Sequence, residues 1–409
     1  MLKRVPVASL TVGMFVHELG GAWLDHPFWR TSFAIDSADV LRRIVASGIG
    51  EAWIDTDRGL DVAGGISQEQ SDAEVERELI LSAAEPPAAL KRVPTEEEAG
   101  RAGKIVAKSC QAVADLFQQA RMGRALQDDA IMPIVDEIAA SVLRNPGVLT
   151  ALTRLRRLDN YTFLHSISVC ALMVAVGNQL GWNAGQLRDA GLAGLLHDIG
   201  KVLIDAELLN KKGPLTEEEF GVLRRHPQIG HGILASGRAA GAVVLDVCLH
   251  HHERLDGSGY PTKLAGDAIG LPARLAAVCD VYDATTSNRP YKDLWPPAHA
   301  LRKMAEWGAS HFDQRLFHAF VRTIGIYPIG TLVRLKSDRL AVVIDQCEAS
   351  LLTPRVKVFF SIAAKRRISP KVIDLSRSGG DEIVCHEDPS AWGIDDIDFL
   401  WSGSDGPAG

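Results

Sequence analysis

Apolar residues change their spacing several times along the chain, and each change marks a different kind of element. Near the N-terminus the apolar runs are short. Val5 to Val16 is apolar-rich with a break at Gly13, and Ala52-Trp53-Ile54-Asp55 has strand character and ends in a polar turn. Between them, SADVLRRIVAS (37–47) has helical spacing behind a serine start. This pattern predicts a small α+β module over residues 1–65. The following SQEQSDAEVERELILSAAEPPAALKRVPTEEEAG is acidic and broken at Pro86 and Pro87, then helical periodicity returns over 103–145. Residues 66–145 therefore read as an acidic linker with helices.

From 146 to 327 apolar positions recur at three- and four-residue spacing, most clearly in LHSISVCALMVAVGNQL (164–180) and AGQLRDAGLAGLLHDIG (184–200). Clusters such as Lys212-Gly213-Pro214 and Gly257-Ser258-Gly259-Tyr260-Pro261 separate the helices. An all-α bundle is expected here. After Pro328 the period drops to two. GTLVRLKSDRLAVVIDQ reads as a hairpin turning at Ser337-Asp338, PRVKVFF alternates similarly, and the tail frays after Trp401. The expected fold class is mainly α: a helical bundle flanked by a small N-terminal α+β module and a small C-terminal β-rich module (328–409). No internal repeat is evident.

Composition narrows the partners. The 409 residues are 46% hydrophobic and 23% charged, as in a soluble globular protein of more than one core. A net charge of −7 argues against binding a nucleic-acid polymer, which needs a broad basic surface, but leaves room for a small anion held by a few cations. The six cysteines are scattered without a CxxC pair, which favours reduced thiols. The opening MLKRVPVASLTVGM lacks the apolar run of a signal peptide, and no stretch approaches ~18 uninterrupted apolar residues. A cytoplasmic protein without a membrane anchor is expected; a homodimer is compatible with the sequence.

Histidine placement carries the chemistry. Seven of the thirteen histidines lie between residues 165 and 252. A lone histidine is more often a core or surface residue. His165, His197-Asp198, His226, the run His250-His251-His252 followed by Glu253 and Asp256, and Asp280 cluster imidazoles with carboxylates, which suits borderline divalent metals such as iron, manganese or zinc. One four-coordinate ion needs only three or four of these side chains, so two ions are expected, with a metal-bound hydroxide as nucleophile for phosphate ester hydrolysis.

Those residues sit in blocks that resemble a known family. His197-Asp198-Ile199-Gly200-Lys201 is similar to the HDIGK signature of HD phosphohydrolases, and His251 to Pro261 (HHERLDGSGYP) resembles the HHExxDGxGYP signature of the HD-GYP subfamily. DVYDA (280–284), NRPYK (288–292), YTFLHSISV and HPQIG resemble the family's remaining blocks, in order, across roughly 150–325. The resemblance implies a helical HD-GYP fold and hydrolysis of cyclic di-GMP to pGpG or GMP. It implies metal ligation by His165, His197, Asp198, His226, His251, His252 and Asp280, with Asp198 bridging two ions, iron first and manganese second. Where some relatives carry a third-metal glutamate this chain has Tyr161, so a two-metal site is expected. Lys201, one turn after His197, is expected to stabilise charge on the phosphate. Arg289 and Lys292 are expected to clamp the phosphates, the alternative being surface cations. Tyr260 either faces substrate or packs a glycine-freed turn onto the bundle. Asp256 and Asp283 are candidates for orienting ligand histidines, the alternative for Asp283 being a helix cap, whereas His231 and His250 stand outside the ligand set. Residues 1–65 resemble the domain of unknown function that often precedes HD-GYP domains. Three other readings compete with hydrolysis of cyclic di-GMP. One is hydrolysis of another nucleotide. Another is a non-catalytic adaptor binding cyclic di-GMP or a diguanylate cyclase (GGDEF) partner through the GYP surface. The third, more distant, is a redox dimetal oxygenase.

Overall fold

The structure is a computed structural model that describes residues 1–20, 32–47, 49–83, 92–124, 126, 128–155, 161–211, 213, 215–237, 240–287, 295–347, 350–377 and 381–402. The N-terminal part is an antiparallel sheet in the order β3-β2-β4-β1-β5, built from β1 (Leu2–Pro6), β2 (Phe15–Leu19), β3 (Phe33–Ala34), β4 (Glu51–Asp55) and β5 (Ile66–Ser67). Helix α1 (Ala38–Ala46) starts at Ser37, whose side chain accepts from the Val40 amide. It buries Ile44 in a core with Val5, Val16, Ile35 and Ile54.

The helical pieces expected in the acidic stretch are α2 (Gln68–Ala83) and the start of α3 (Thr95–Arg121). Val75 and Leu79, four residues apart, seat α2 on the main core, while Asp72 and Glu76 reach Arg302. The acidity thus belongs to an outer helical face. Lys303 bonds Glu18, and Arg4 donates to the Glu306 carbonyl, joining the N-terminal sheet to the helix carrying residues 303–306.

The bundle comprises α4 (Asp128–Arg144), α5 (Val148–Leu155), α6 (Tyr161–Gln179), α7 (Ala184–Leu196), the short α8 (Ala206–Leu209) and α9 (Glu217–Leu223), α10 (His226–Ser236), α11 (Ala242–His250), α12 (Leu271–Thr286), α13 (Pro297–His311) and α14 (Gln314–Ile324). Helix α6 runs through its centre, against α4, α5, α7, α12 and α14. Its segment 162–179 is long and apolar enough to cross a membrane, but 78% of it is buried inside the molecule. Its apolarity on every face follows from that central position. A side chain at Gly194 of α7 would meet the Cys170 backbone at 2.9 Å, so glycine lets α6 and α7 approach backbone to backbone.

A second antiparallel sheet, order β10-β6-β7-β8-β9, closes the chain: β6 (Leu332–Leu335), β7 (Arg339–Asp345), β8 (Arg355–Ser361), β9 (Arg366–Asp374) and β10 (Ile383–His386). The β6–β7 hairpin turns at Ser337-Asp338, with Asp338 at φ 54°. Leu340 and Val342 join the bundle core, and Val333, Ala341 and Val343 form a separate core on the other face. Trp401 of α15 (Ile397–Ser402) is buried with the bundle. None of the six cysteines is in a disulfide.

Candidate metal centre

Five helical elements converge on one point. His165 comes from α6. His197 ends α7, where the helix tightens into a 3₁₀ turn (Ile199–Leu203), and Asp198 sits at that joint. His226 opens α10, His251 and His252 follow the last residue of α11, and Asp280 lies within α12. The 3₁₀ turn lies directly on α10: a side chain at Gly200 would come within 2.0 Å of the His226 carbonyl. Glycine there is what lets Asp198 and His226 meet.

The seven residues fall into three overlapping groups whose ligand atoms lie within 4.8 Å of one another: His226/His251/His252, His165/His197/Asp280 and, linking them, His197/Asp198/His251. Asp198 Oδ1 is 3.2 Å from His226 Nε2 and 3.8 Å from His251 Nε2. Asp198 Oδ2 is 3.4 Å from His197 Nε2 and 3.6 Å from His165 Nε2. Asp280 Oδ1 is 3.0 Å from His165 Nε2, and Oδ2 is 3.8 Å from His252 Nδ1. Two atoms each bonded at ~2.1 Å to one ion lie about 3.0–3.4 Å apart; the contacts of Asp198 with His226 and His197 and of Asp280 with His165 fall in that range, and the other three are up to 0.4 Å longer.

The tautomers suit ligation. The Nδ1 of His197 faces the Gly194 carbonyl at 2.8 Å, that of His226 the Leu223 carbonyl at 2.8 Å, and that of His251 the Val247 carbonyl at 3.0 Å. A ring nitrogen facing a carbonyl must carry the proton, so each Nε2 is left as a lone-pair donor aimed inward. Among the described residues, buried His197 Nε2 and Asp198 Oδ1 make no hydrogen bond. Orphaned buried acceptors of this kind are what a cation would satisfy.

Electrostatics agree. Burial pushes the Asp198 carboxyl up, but Lys201 and His197 outweigh it and hold the group well below the carboxylate range. Burial is likewise outweighed at Asp280, chiefly by His165, and its carboxyl also stays well below that range. Burial and the neighbouring histidines push His251 down to about 3, and burial pushes His252 well below its usual value. Carboxylates are thus ionised and these imidazoles neutral, the protonation states of ligands. His165 goes the other way: burial lowers it, but Asp280 and Asp283 more than offset that and push it up to about 9. This corner is negative enough to hold a proton or a cation.

Profile matching finds a domain of unknown function (DUF3391) over residues 2–130 and an HD domain over 136–316. Cyclic di-GMP phosphodiesterase PA4108 of Pseudomonas aeruginosa is 50% identical over 406 residues, covering 98% of this chain and 96% of that protein. The chain belongs to the HD-GYP family of cyclic di-GMP phosphodiesterases. A second member, the response regulator RpfG of Xanthomonas campestris, is 41% identical over 181 residues, 42% of this chain and 47% of its own. The solved structure of Bd1817 from Bdellovibrio bacteriovorus covers 78% of this chain and 98% of its own at 17% identity and a TM-score of 0.46, too distant a likeness to bear on the site. As an HD-domain protein the chain binds divalent metal.

Around this HD-GYP centre the other candidates separate. The Lys201 ammonium pairs with Asp198 Oδ2. The Tyr260 ring stacks on His252, 4.8 Å between centroids. Its turn is tight: a side chain at Gly259 would meet the Arg254 amide nitrogen at 2.5 Å. Arg289 and Lys292 lie outside the described residues. Asp283 meets His165 Nδ1 at 2.6 Å and also accepts from Ser287 Oγ. Asp256 is different from what its motif position suggests: it is exposed and accepts from the amide and hydroxyl of Ser258, shaping its own turn rather than orienting a histidine. His250 bonds Asp246, and neither it nor His231 joins the metal-binding groups. Glu253, which the sequence sets among the clustered carboxylates, instead accepts from Thr262 at both amide and hydroxyl and so ties off the GYP turn. Sequence reasoning missed Arg224, two residues before His226, because nothing local marks it.

Proposed function

We propose that this chain is a two-metal phosphodiesterase that hydrolyses cyclic di-GMP to pGpG or GMP. One observation carries the two-metal reading: the Asp198 carboxylate presents one oxygen to His226 and His251 and the other to His165 and His197. The proposed ligands are His165, His197, Asp198, His226, His251, His252 and Asp280, with Asp198 shared. A set of five imidazoles and two carboxylates suits iron first and manganese second. Bound there, divalent ions would supply an acidified water and a Lewis acid towards the phosphoryl oxygen.

The chain's own residues then do the rest. Lys201, 22% exposed at the mouth of the buried site, supplies a cation where charge develops on the phosphate. Tyr260 holds the substrate-side face of His252 covered. Asp283 keeps His165 in one orientation. Arg289 and Lys292 remain proposed phosphate clamps. The exposed side of the GYP turn, Asp256 and Ser258, is the surface proposed for contact with GGDEF proteins, which calorimetric titration against an isolated GGDEF domain would test. A cytoplasmic site of action follows from the substrate.

The test is anaerobic. The full chain is purified with iron or manganese supplied, bound metal is quantified, and cyclic di-GMP is followed by chromatography. About two metals per chain, turnover to pGpG or GMP, and loss of both in Asp198→Ala with helicity retained are expected. Full metal loading without turnover would move the chain to the adaptor reading.

A further inference from the structure

Arg224 ends α9, beside the metal centre, and faces two aromatic rings. Its guanidinium carbon lies 4.3 Å from the Phe220 ring centroid and 5.2 Å from that of Tyr260. The Tyr260 ring in turn stacks on His252, and His252 belongs to the His226/His251/His252 group. A continuous stack therefore leads from the candidate ligands to this cation. Among the described residues no carboxylate pairs with Arg224, and its buried Nε makes no hydrogen bond. Burial lowers its pKa, and the neighbour that counteracts this is Tyr260. A half-buried guanidinium ordinarily finds an acid. Here two aromatic rings stand where an acid would, and the planar N–H fork of a guanidinium matches the oxygens of a phosphate in a bidentate bond.

A cyclic dinucleotide carries two phosphodiesters. The metal centre and Lys201 can take only the one being cleaved. We propose that Arg224 binds the other phosphodiester of the substrate, held in plane by Phe220 and Tyr260, so that it selects cyclic dinucleotides over simple diesters. This rests on the phosphodiesterase reading above. Arg224 acts in binding, so its loss falls mainly on KM.

The experiment compares wild type, Arg224→Ala and Arg224→Lys on cyclic di-GMP, on 3′3′-cGAMP and on bis(p-nitrophenyl) phosphate, which has no second phosphate. Bound metal and helicity are measured alongside. In Arg224→Ala the ratio of kcat/KM for cyclic di-GMP to that for the simple diester falls about 10- to 100-fold, mostly through KM. The same fall is expected for 3′3′-cGAMP, because a phosphate contact ignores the base. Arg224→Lys, which keeps the packed stem and the charge but not the fork, falls between; it gives the same reading if the alanine variant does not fold. An unchanged ratio overturns the proposal, as does an equal loss on all three substrates, which would mean packing alone. A loss confined to guanine-bearing positions overturns it in favour of a base-edge contact. No turnover of cyclic di-GMP by the wild type would instead overturn the functional reading, and this proposal with it.

Discussion

The Asp283–His165 pair gives the sharpest quantitative test of the metal centre. Asp283 Oδ2 lies 2.6 Å from His165 Nδ1. Both side chains are 1% exposed, so no water replaces a lost partner. Asp283→Ala leaves a buried imidazole N–H without its acceptor and frees the ring to turn its Nε2 away from Asp280, now 3.0 Å distant. Removing the group that orients a ligand histidine costs about 10- to 100-fold in metal affinity, or roughly 1.4–2.7 kcal/mol. Asp283→Asn keeps an acceptor oxygen but loses the charge, so it should sit near the lower bound and alanine near the upper. The assay is metal binding at equilibrium against a competing chelator, anaerobically, for wild type and both variants. Thermal unfolding of the metal-free proteins controls for general damage. Wild-type metal affinity in Asp283→Ala would falsify the reasoning, because His165 would then be either no ligand or held by something else.

Two further outcomes are expected. Lys201→Ala should lower kcat on cyclic di-GMP about 100-fold while bound metal changes far less; equal losses of metal and rate would make Lys201 a structural partner of Asp198 instead. Glu98, buried on α3, accepts from Ser141 Oγ and from Arg144. Burial pushes its carboxyl up, but those bonds and the Arg144 charge outweigh it and hold the group below the usual range. Its stabilisation is therefore complete above the unfolded-state value near 4.5 and is lost as pH falls through the lower folded value. Glu98→Gln should cost about 1–3 kcal/mol in urea unfolding at pH 7, with the gap to wild type closing in acid; a gap that persists undiminished at low pH would contradict this.

Much of the fold was legible because its signals are local. The heptad-like spacing of 164–180 and 184–200 marks α6 and α7, and Ser337-Asp338 marks its hairpin. Periodicity was less informative where burial is two-sided. In β7, Leu340 to Ile344 are all buried, since one face joins the bundle and the other a second core, and an uninterrupted apolar run does not reveal which face meets which. The acidic stretch after residue 66 likewise hides a docked helix, because three apolar residues at four-residue spacing, Val75, Leu79 and Ala83, suffice to seat α2.

By itself the sequence determined the element types and pointed to the seven proposed donors, because helical period, turn residues and blocks such as HDIGK and HHExxDGxGYP are properties of neighbouring residues. Only the tertiary structure decided how the donors are shared. Which Asp198 oxygen faces which histidines depends on the backbone contact of Gly200 with α10. The pairing of His165 with Asp283, 118 residues away, depends on α6 crossing α12. The stack from His252 through Tyr260 to Arg224 exists because the GYP turn folds back over the end of α9. Such contacts join residues far apart in the chain, and only packing sets their distances.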